Sequence, residues 1–243
     1  MKRSIVAIGV LLAASLPLAA QEDPGAKNAI PHNIAAETYA KAAFEADTTS
    51  ILALIESAKT AADAPWACAT CHGAAGEGSL TVPRLAGLPA GYLTKQLHDY
   101  SNGARRNDNM EYVVSRLDVD QMAALGAYYA GLEAAPNAQP SLGGDMERGR
   151  ALALQGDWSV NLPSCFSCHG ALGWGVEQAF PSLAGQHPAY IHRQLAAWKS
   201  GRRQNSPLGL MQSVAEAMSQ RDMRAVADYL ATLPPPQPRY PDD

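Results

Sequence analysis

The apolar residues of this chain recur at the three- and four-residue spacing that places them on one face of an α-helix. In residues 48–61 that face carries Ile51, Leu54 and Ile55, and a run of helix-capping residues precedes it. The alternation typical of half-buried β-strands is nearly absent. The sequence therefore predicts an all-α protein, with helices over residues 34–46, 48–61, 119–131 and 220–232 and helical faces over 92–97 and 190–195.

The second half of the chain repeats the first. Residues 83–107 align with residues 181–205 at an offset of 98 without a gap. Both blocks begin with P-x-L-A-G, continue to Y-x-x-x-Q-L and end near a glycine, two arginines and an asparagine. Residues 110–132 align with residues 211–233 at an offset of 101, so the loop before the second segment is three residues longer. Loops tolerate such insertions.

These repeats set the expected organisation of the chain. The stretch between them is rich in Pro, Gly and small residues, which is typical of a linker, and the Pro-rich end cannot continue a helix. The helix over residues 34–46 has no counterpart in the second half, and we expect it to pack on the first domain or lie in solvent, with partner binding as the alternative. We predict a signal peptide over residues 1–20, a helical extension over 21–62, a first domain over 63–132, a linker over 133–145, a second domain over 146–233 and a tail over 234–243.

The N-terminal residues have the pattern of an export signal. Lys2 and Arg3 precede an uncharged apolar run that is too short for a stable membrane anchor and ends in small residues before Gln21. We expect cleavage after Ala20 and a periplasmic protein. An uncleaved N-terminal anchor with loose membrane association is the alternative, because Leu18 departs from the preferred cleavage motif. Removal of residues 1–20 changes the net charge from −4 to −6, which excludes the basic surface of a nucleic-acid-binding protein.

All four cysteines belong to two C-x-x-C-H motifs. In an exported protein, paired cysteines suggest disulfides, and a zinc ion would take two cysteines from each motif. Neither alternative explains why a histidine follows both pairs. The motif is typical of covalent c-type haem attachment, in which the cysteines bond to the haem and the histidine binds the iron. We therefore predict two covalently bound haem c groups, attached at Cys68, Cys71, Cys165 and Cys168, with His72 and His169 as iron ligands.

The sixth iron ligand should occupy matching positions in both repeats. Two methionine pairs recur, Met110 with Met211 and Met122 with Met223. The second pair lies inside predicted helices, where core packing is the simpler explanation, so we predict Met110 and Met211 as the ligands. Iron with histidine and methionine on its two faces suits electron transfer rather than catalysis. Three other histidines have no histidine at the matching position of the other repeat and are therefore not predicted as ligands: His98, His187 and His192.

With its tandem motifs, its P-x-L-A-G-Q-x-x-x-Y-x-x-x-Q-L frame in residues 181–195 and its late methionine, the sequence resembles the dihaem cytochrome c4 family over about residues 64–233. The resemblance implies two tandem class I cytochrome c domains whose haem propionate edges face each other. It also implies that the carbonyls of Pro83 and Pro181 accept the Nδ1–H of the iron-binding histidines. Leu88 replaces the glutamine of the family in the first repeat. The resemblance further places four arginines near the propionates or the domain interface, with solvent-exposed surface arginines as the alternative: Arg105, Arg106, Arg202 and Arg203.

The function predicted from these observations is that of a periplasmic dihaem electron carrier, not an enzyme, which moves single electrons between redox protein partners. The resemblance implies a shuttle toward a terminal oxidase. The alternative is the electron-accepting subunit of a periplasmic dehydrogenase, which the N-terminal extension and the acidic charge would suit. A dihaem peroxidase would need an open iron site, against which the symmetric methionines argue. A sensory haem module would need a further domain to receive its signal.

Overall fold

The computed structural model describes residues 36–46 and 67–236, and these form one compact unit. Within these two ranges the backbone forms helices and isolated β-bridges but no strand, which confirms the predicted all-α class. None of the helices in the described ranges has the length and apolar character needed to span a membrane. The predicted signal peptide, the helix predicted over residues 48–61 and residues 237–243 lie outside the described residues.

The helices follow one another in the same order in both repeats. The N-terminal part contributes α1 (Ala36–Glu45), α2 (Cys68–His72), α3 (Ala90–Ser101), α4 (Asp108–Val114) and α5 (Val119–Ala130). The C-terminal part contributes α6 (Met146–Leu154), α7 (Cys165–His169), α8 (Pro188–Lys199), α9 (Leu210–Ala217) and α10 (Gln220–Ala231). Among the described residues, the three short 3₁₀ helices all lie in the C-terminal part, at Trp158–Val160, Ala171–Gly173 and Pro207–Gly209.

The last helix of each repeat begins with the same local device. The side chain of Asp118 accepts the backbone N–H of Gln121, and the backbone N–H of Asp118 donates to the side-chain oxygen of Gln121. Ser219 and Asp222 form the same reciprocal pair before α10. Such a capping box satisfies two backbone donors that a helix start leaves without partners. It explains why both closing helices begin at the positions that the repeat predicts.

The first domain packs around the contact between α3 and α5. Gly126 allows this close approach, because a Cβ atom at that position would collide with Thr94. Helix α1 lies against α3 and α5, where Tyr39 is buried with its ring centroid 4.7 Å from that of His98. Helix α1 is therefore part of the packing of the first domain. Helix α6 precedes the second motif in the same way and packs on the closing helix α10, so α1 has a counterpart in the second half, contrary to the expectation from sequence. The buried cluster consists of Leu88, Leu93, Ala124, Leu125 and Tyr129.

The second domain is built around α10, which packs against α6 and α8. Gly149 lies so close to the backbone of Ala225 that a side chain there would collide with it. The buried cluster is larger than that of the first domain and contains Leu152, Leu162, Ile191, Leu195, Met218, Met223, Val226 and Leu230 among others. Burial of this apolar surface contributes on the order of 25 cal/mol per Å² to stability.

The linker is fixed to the second domain by one buried carboxylate. Asp228 in α10 accepts the backbone N–H groups of Ser141, Leu142 and Gly144 at 2.7–3.1 Å. The Asp228 side chain is almost fully buried, so these hydrogen bonds replace the ones that its carboxylate would make to water. Despite a composition typical of a flexible connection, residues 141–144 are thus a bound part of the fold.

Candidate haem sites

The first C-x-x-C-H motif lines a cavity of about 270 Å³. The motif forms the single-turn helix α2, so Cys68 and His72 lie on one face, and Gly73 with a φ of 81° follows it. Cys71 also lines the cavity, together with Met110 from the start of α4. The structure therefore brings together the four predicted site residues of the first domain. Most of the other lining side chains are apolar, among them Leu85, Leu88, Leu93, Leu97, Val113 and Leu125.

Both motif histidines have a fixed orientation. Nδ1 of His72 lies 2.9 Å from the carbonyl oxygen of Pro83, and Nδ1 of His169 lies 2.8 Å from that of Pro181. A carbonyl only accepts, so Nδ1 carries the proton and Nε2 keeps its lone pair. Burial lowers the pKa of both histidines, which favours the neutral form that binds iron. These are the two contacts that the family resemblance implied.

The methionines of the second candidate pair are packing residues. Met122 and Met223 are 4% and 0% exposed, and Met223 belongs to the core cluster of the second domain. Met211, by contrast, is half-buried near the start of α9 and packs against the edge of that cluster, as does Cys165. The second domain therefore offers a methionine at the position corresponding to Met110.

Two buried arginines join the domains in a nearly two-fold arrangement. Arg105 donates to Gln96 of its own domain at 2.9 Å and to Gln194 of the other domain at 3.0 Å. Arg203 donates to Gln194 at 2.7 Å and across the interface to Gln96 at 3.0 Å. Arg105 also donates to the hydroxyl of Tyr190 at 2.9 Å. Arg106 and Arg202, in contrast, are exposed.

Comparison with known proteins decides the family. The family model for cytochrome c matches the chain twice, over residues 55–133 and over residues 134–234. The chain belongs to the cytochrome c family. The cytochrome therefore carries two haem c groups, one in each domain, and its resemblance to cytochrome c4 is confirmed. It transfers electrons with a redox partner protein and is not itself catalytic.

Two groups of relatives resemble the cytochrome over most of its length. It is 43% identical to the thiosulfate dehydrogenase electron acceptor of Thiomonas intermedia over 72% of this chain and 85% of the relative. It is 35% identical to cytochrome c4 of Pseudomonas aeruginosa, over 68% of this chain and 83% of the relative.

Solved structures fall into the same two groups. Thiosulfate dehydrogenase (TsdBA) from Marichromatium purpuratum superposes with a TM-score of 0.73 at 40% identity, covering 77% of the cytochrome. The cytochrome spans only 40% of that longer chain. Reduced cytochrome c4 from Pseudomonas stutzeri superposes with a TM-score of 0.65 at 28% identity, over 80% of the cytochrome and 98% of that chain.

The charges at the interface fit the carboxylates of bound haem. Burial by itself would lower the pKa of Arg105, but the hydroxyls of Tyr100 and Tyr190 raise it, so the guanidinium stays charged. In the described part of the chain, the one carboxylate joined to this network is Asp99, and Lys95 forms an ion pair with it. Among the described residues, Arg105 and Arg203 therefore have no carboxylate partner, and Arg105 lines the first cavity. Buried charges of this kind require an anionic partner.

In the second domain, a buried donor without a partner also fits a bound haem. The indole N–H of Trp198 is buried without a hydrogen-bond partner, and the guanidinium of Arg203 lies 4.0 Å from the centre of the indole ring. Trp198 aligns with Tyr100, which lines the first cavity. The donor is thus available to an anionic or carbonyl group that the protein itself does not supply.

The alternatives to haem find less support in the structure. None of the four cysteines forms a disulfide, and burial raises the pKa of the Cys68 thiol and raises that of Cys165 to about 11. Throughout the described ranges, no three His, Cys, Asp or Glu side chains are placed to share a metal ion. The zinc hypothesis therefore has no site in this part of the cytochrome.

Sequence reasoning missed the residues that connect the two sites. Gln96 and Gln194 were recognised only as members of helical faces, although their side-chain oxygens accept from both arginines. The available signal was a polar residue that recurs in both repeats on an otherwise apolar face. Tyr190 gave the same signal, since it recurs as Tyr92 in the shared frame, but its partner Arg105 across the interface is known only from the fold.

Proposed function

We propose that Cys68 and Cys71 attach the first haem and that His72 and Met110 bind its iron, with Cys165, Cys168, His169 and Met211 in the same roles in the second domain. The shared cavity of the first four residues supports this assignment in the first domain. In the second, the support is the Pro181 contact of His169 and the position of Met211. The bound iron supplies reversible one-electron chemistry, and a thioether ligand favours its reduced form.

The protein surrounds the first site with mostly apolar side chains and places two buried arginines at the interface beside it. Tyr190, Arg193 and Gln194 of the second domain help line the cavity of the first domain. The second domain therefore covers part of the first site at the interface. Small reorganisation of the surroundings favours electron exchange, and the hydrogen-bonded Arg105 and Arg203 provide fixed charges for it.

The donor that we propose is a thiosulfate dehydrogenase. The supporting observation is that the chain is 43% and 44% identical to two thiosulfate dehydrogenase electron acceptors, against 35% for the cytochrome c4 of Pseudomonas aeruginosa. The superposition on thiosulfate dehydrogenase (TsdBA) agrees with this choice. We further propose that residues 1–20 direct export to the periplasm and that the electrons continue to a terminal oxidase, a role that the similarity to cytochrome c4 supports.

A stopped-flow experiment tests the donor. Oxidised cytochrome is mixed with a purified thiosulfate dehydrogenase and thiosulfate, and reduction of both haems is followed by absorbance. We expect rapid reduction that requires enzyme and substrate together. Cytochrome mixed with thiosulfate alone is the control. If reduction with the enzyme is no faster than in this control, while reduced cytochrome still delivers electrons to an oxidase, the acceptor role is wrong and the shuttle role stands.

A further inference from the structure

Asn107 and Asn205 occupy matching positions in the repeat but have different roles. Asn107 is exposed, and its side chain accepts the backbone N–H of Met110 at 3.1 Å at the start of α4. Asn205 is buried and turns to the other domain. Its side-chain amide donates to Gln96 at 3.0 Å and to the carboxylate of Asp99 at 2.6 Å. The loop before the second methionine is thus attached to the first domain.

The attachment through this asparagine works in one direction only, unlike the reciprocal bonds of the two arginines. Lys95 and Asp99 form a buried ion pair on α3, and Lys95 also donates to the backbone carbonyl of Asn205 at 3.2 Å. The matching positions on α8 are Arg193 and Ala197, which have no carboxylate to offer to Asn107. The first domain therefore holds the methionine loop of the second through Asn205 as well as Arg203, whereas the second domain holds that of the first through Arg105 alone.

The loop that is held in this way is also the longer and more strained of the two. Because Asn205 is turned away, Ser206 takes over the capping role and accepts the N–H of Met211 at 3.0 Å. The three extra residues bring Leu208 to a φ of 53°, a left-handed conformation that costs a non-glycine residue energy, with its side chain 87% exposed. Residues 104–114, all within the described part, contain no positive φ.

We propose that Lys95 and Asp99 of the first domain are positioning residues for the second haem, because they hold Asn205 and with it the loop that carries Met211. The inference rests on the ligand assignment proposed above. Ligation of the second iron by methionine then depends more strongly on docking of the two domains than ligation of the first iron does. The buried pair thus makes the two otherwise similar sites unequal.

Competition between methionine and imidazole tests this role. In a Met110→Leu background, the methionine–iron charge-transfer band of the oxidised holoprotein arises from Met211 alone, and its loss reports displacement by imidazole. We expect Asn205→Ala to raise the association constant of imidazole about tenfold, since buried hydrogen bonds are lost that keep the loop closed. Asp99→Asn, which keeps the shape of the side chain, should act in the same direction and lower the potential of the second haem.

The control is Gln204→Ala in the same background. Gln204 is exposed, lies next to Asn205 and donates to Gly201 within its own loop, so its removal should leave the imidazole affinity unchanged. An unchanged affinity in both Asn205→Ala and Asp99→Asn would overturn the positioning role. A separate variant tests the ligand itself: if the band persists in Met110→Leu/Met211→Leu, the ligand assignment fails instead.

Discussion

Gln186 exchanges hydrogen bonds with the backbone of Arg84 across the domain interface. Its side-chain oxygen accepts the N–H of Arg84 at 2.9 Å, and its amide donates to the carbonyl of Arg84 at 3.1 Å. The matching position in the first repeat is Leu88, which belongs to the apolar core and lines the first cavity. Gln186 therefore serves the interface, and Leu88 at the matching position serves the first site and its core instead.

The first prediction concerns this glutamine. Gln186→Ala leaves the buried N–H and carbonyl of Arg84 without partners, and we expect the free energy of unfolding to fall by about 2–4 kcal/mol. Urea denaturation of the holoprotein measures the change. Gln204→Ala removes an exposed amide and should change the stability by less than about 0.5 kcal/mol. Equal effects of the two variants would show that the interface bond contributes nothing.

The second prediction separates ligand methionines from packing methionines. Met211→Leu should remove one of two methionine–iron charge-transfer bands and lower the potential of that haem, because a soft thioether favours ferrous iron. The matched control is Met223→Leu, a conservative change in the buried core that should cost less than about 1.5 kcal/mol. It should leave both bands and both potentials in place. Spectra and potentiometric titrations of the two variants would contradict the assignment if Met223→Leu were the one that lost a band.

The third prediction concerns the buried charge of Arg105. A fixed positive charge disfavours ferric iron, so Arg105→Gln should lower the potential of the first haem by an amount on the order of tens of millivolts. Arg106→Gln provides the control, since its guanidinium is exposed and lies 3.5 Å from Glu111. Redox titration distinguishes them. Similar small shifts in both variants would mean that solvent already screens Arg105.

The fourth prediction concerns acid stability of the second domain. Burial raises the pKa of Asp222, but hydrogen bonds from Arg148 and Ser219 outweigh it and hold the pKa below the usual value. A carboxylate with a lowered folded-state pKa stabilises the fold above the unfolded-state pKa of about 3.9, and this stability is lost as the pH falls through the folded value.

Denaturation midpoints measured between about pH 5 and pH 2.5 test it. We expect the loss of stability on acidification to be shallower in Asp222→Asn, because the titrating group is gone. Asp120→Asn changes an exposed acid at the start of α5 and should keep the slope of the native protein. A native slope in Asp222→Asn would show that Arg148 does not couple this carboxylate to folding.

Much of this architecture was readable from local sequence patterns. The closing helices lie at Val119–Ala130 and Gln220–Ala231, within two residues of the predicted spans, because capping boxes fix where they begin. The histidine orientation followed from family resemblance. The hydrogen-bond partners of Gln96, Asp99 and Asn205 could not be predicted, because residues about a hundred positions apart leave no local sequence signal of their contact. The composition of the linker likewise did not predict that its backbone binds Asp228.

The exchange of hydrogen bonds between Arg105, Arg203 and the two glutamines has the symmetry of a homodimer, in which each copy offers the other the same surface. A single-haem protein that paired with itself through this contact would need only gene duplication and a connecting segment to become this chain. After fusion the two copies are free to diverge. Leu88 and Asn205 mark positions at which the two halves of the chain are no longer equivalent, because their counterparts Gln186 and Asn107 make different contacts.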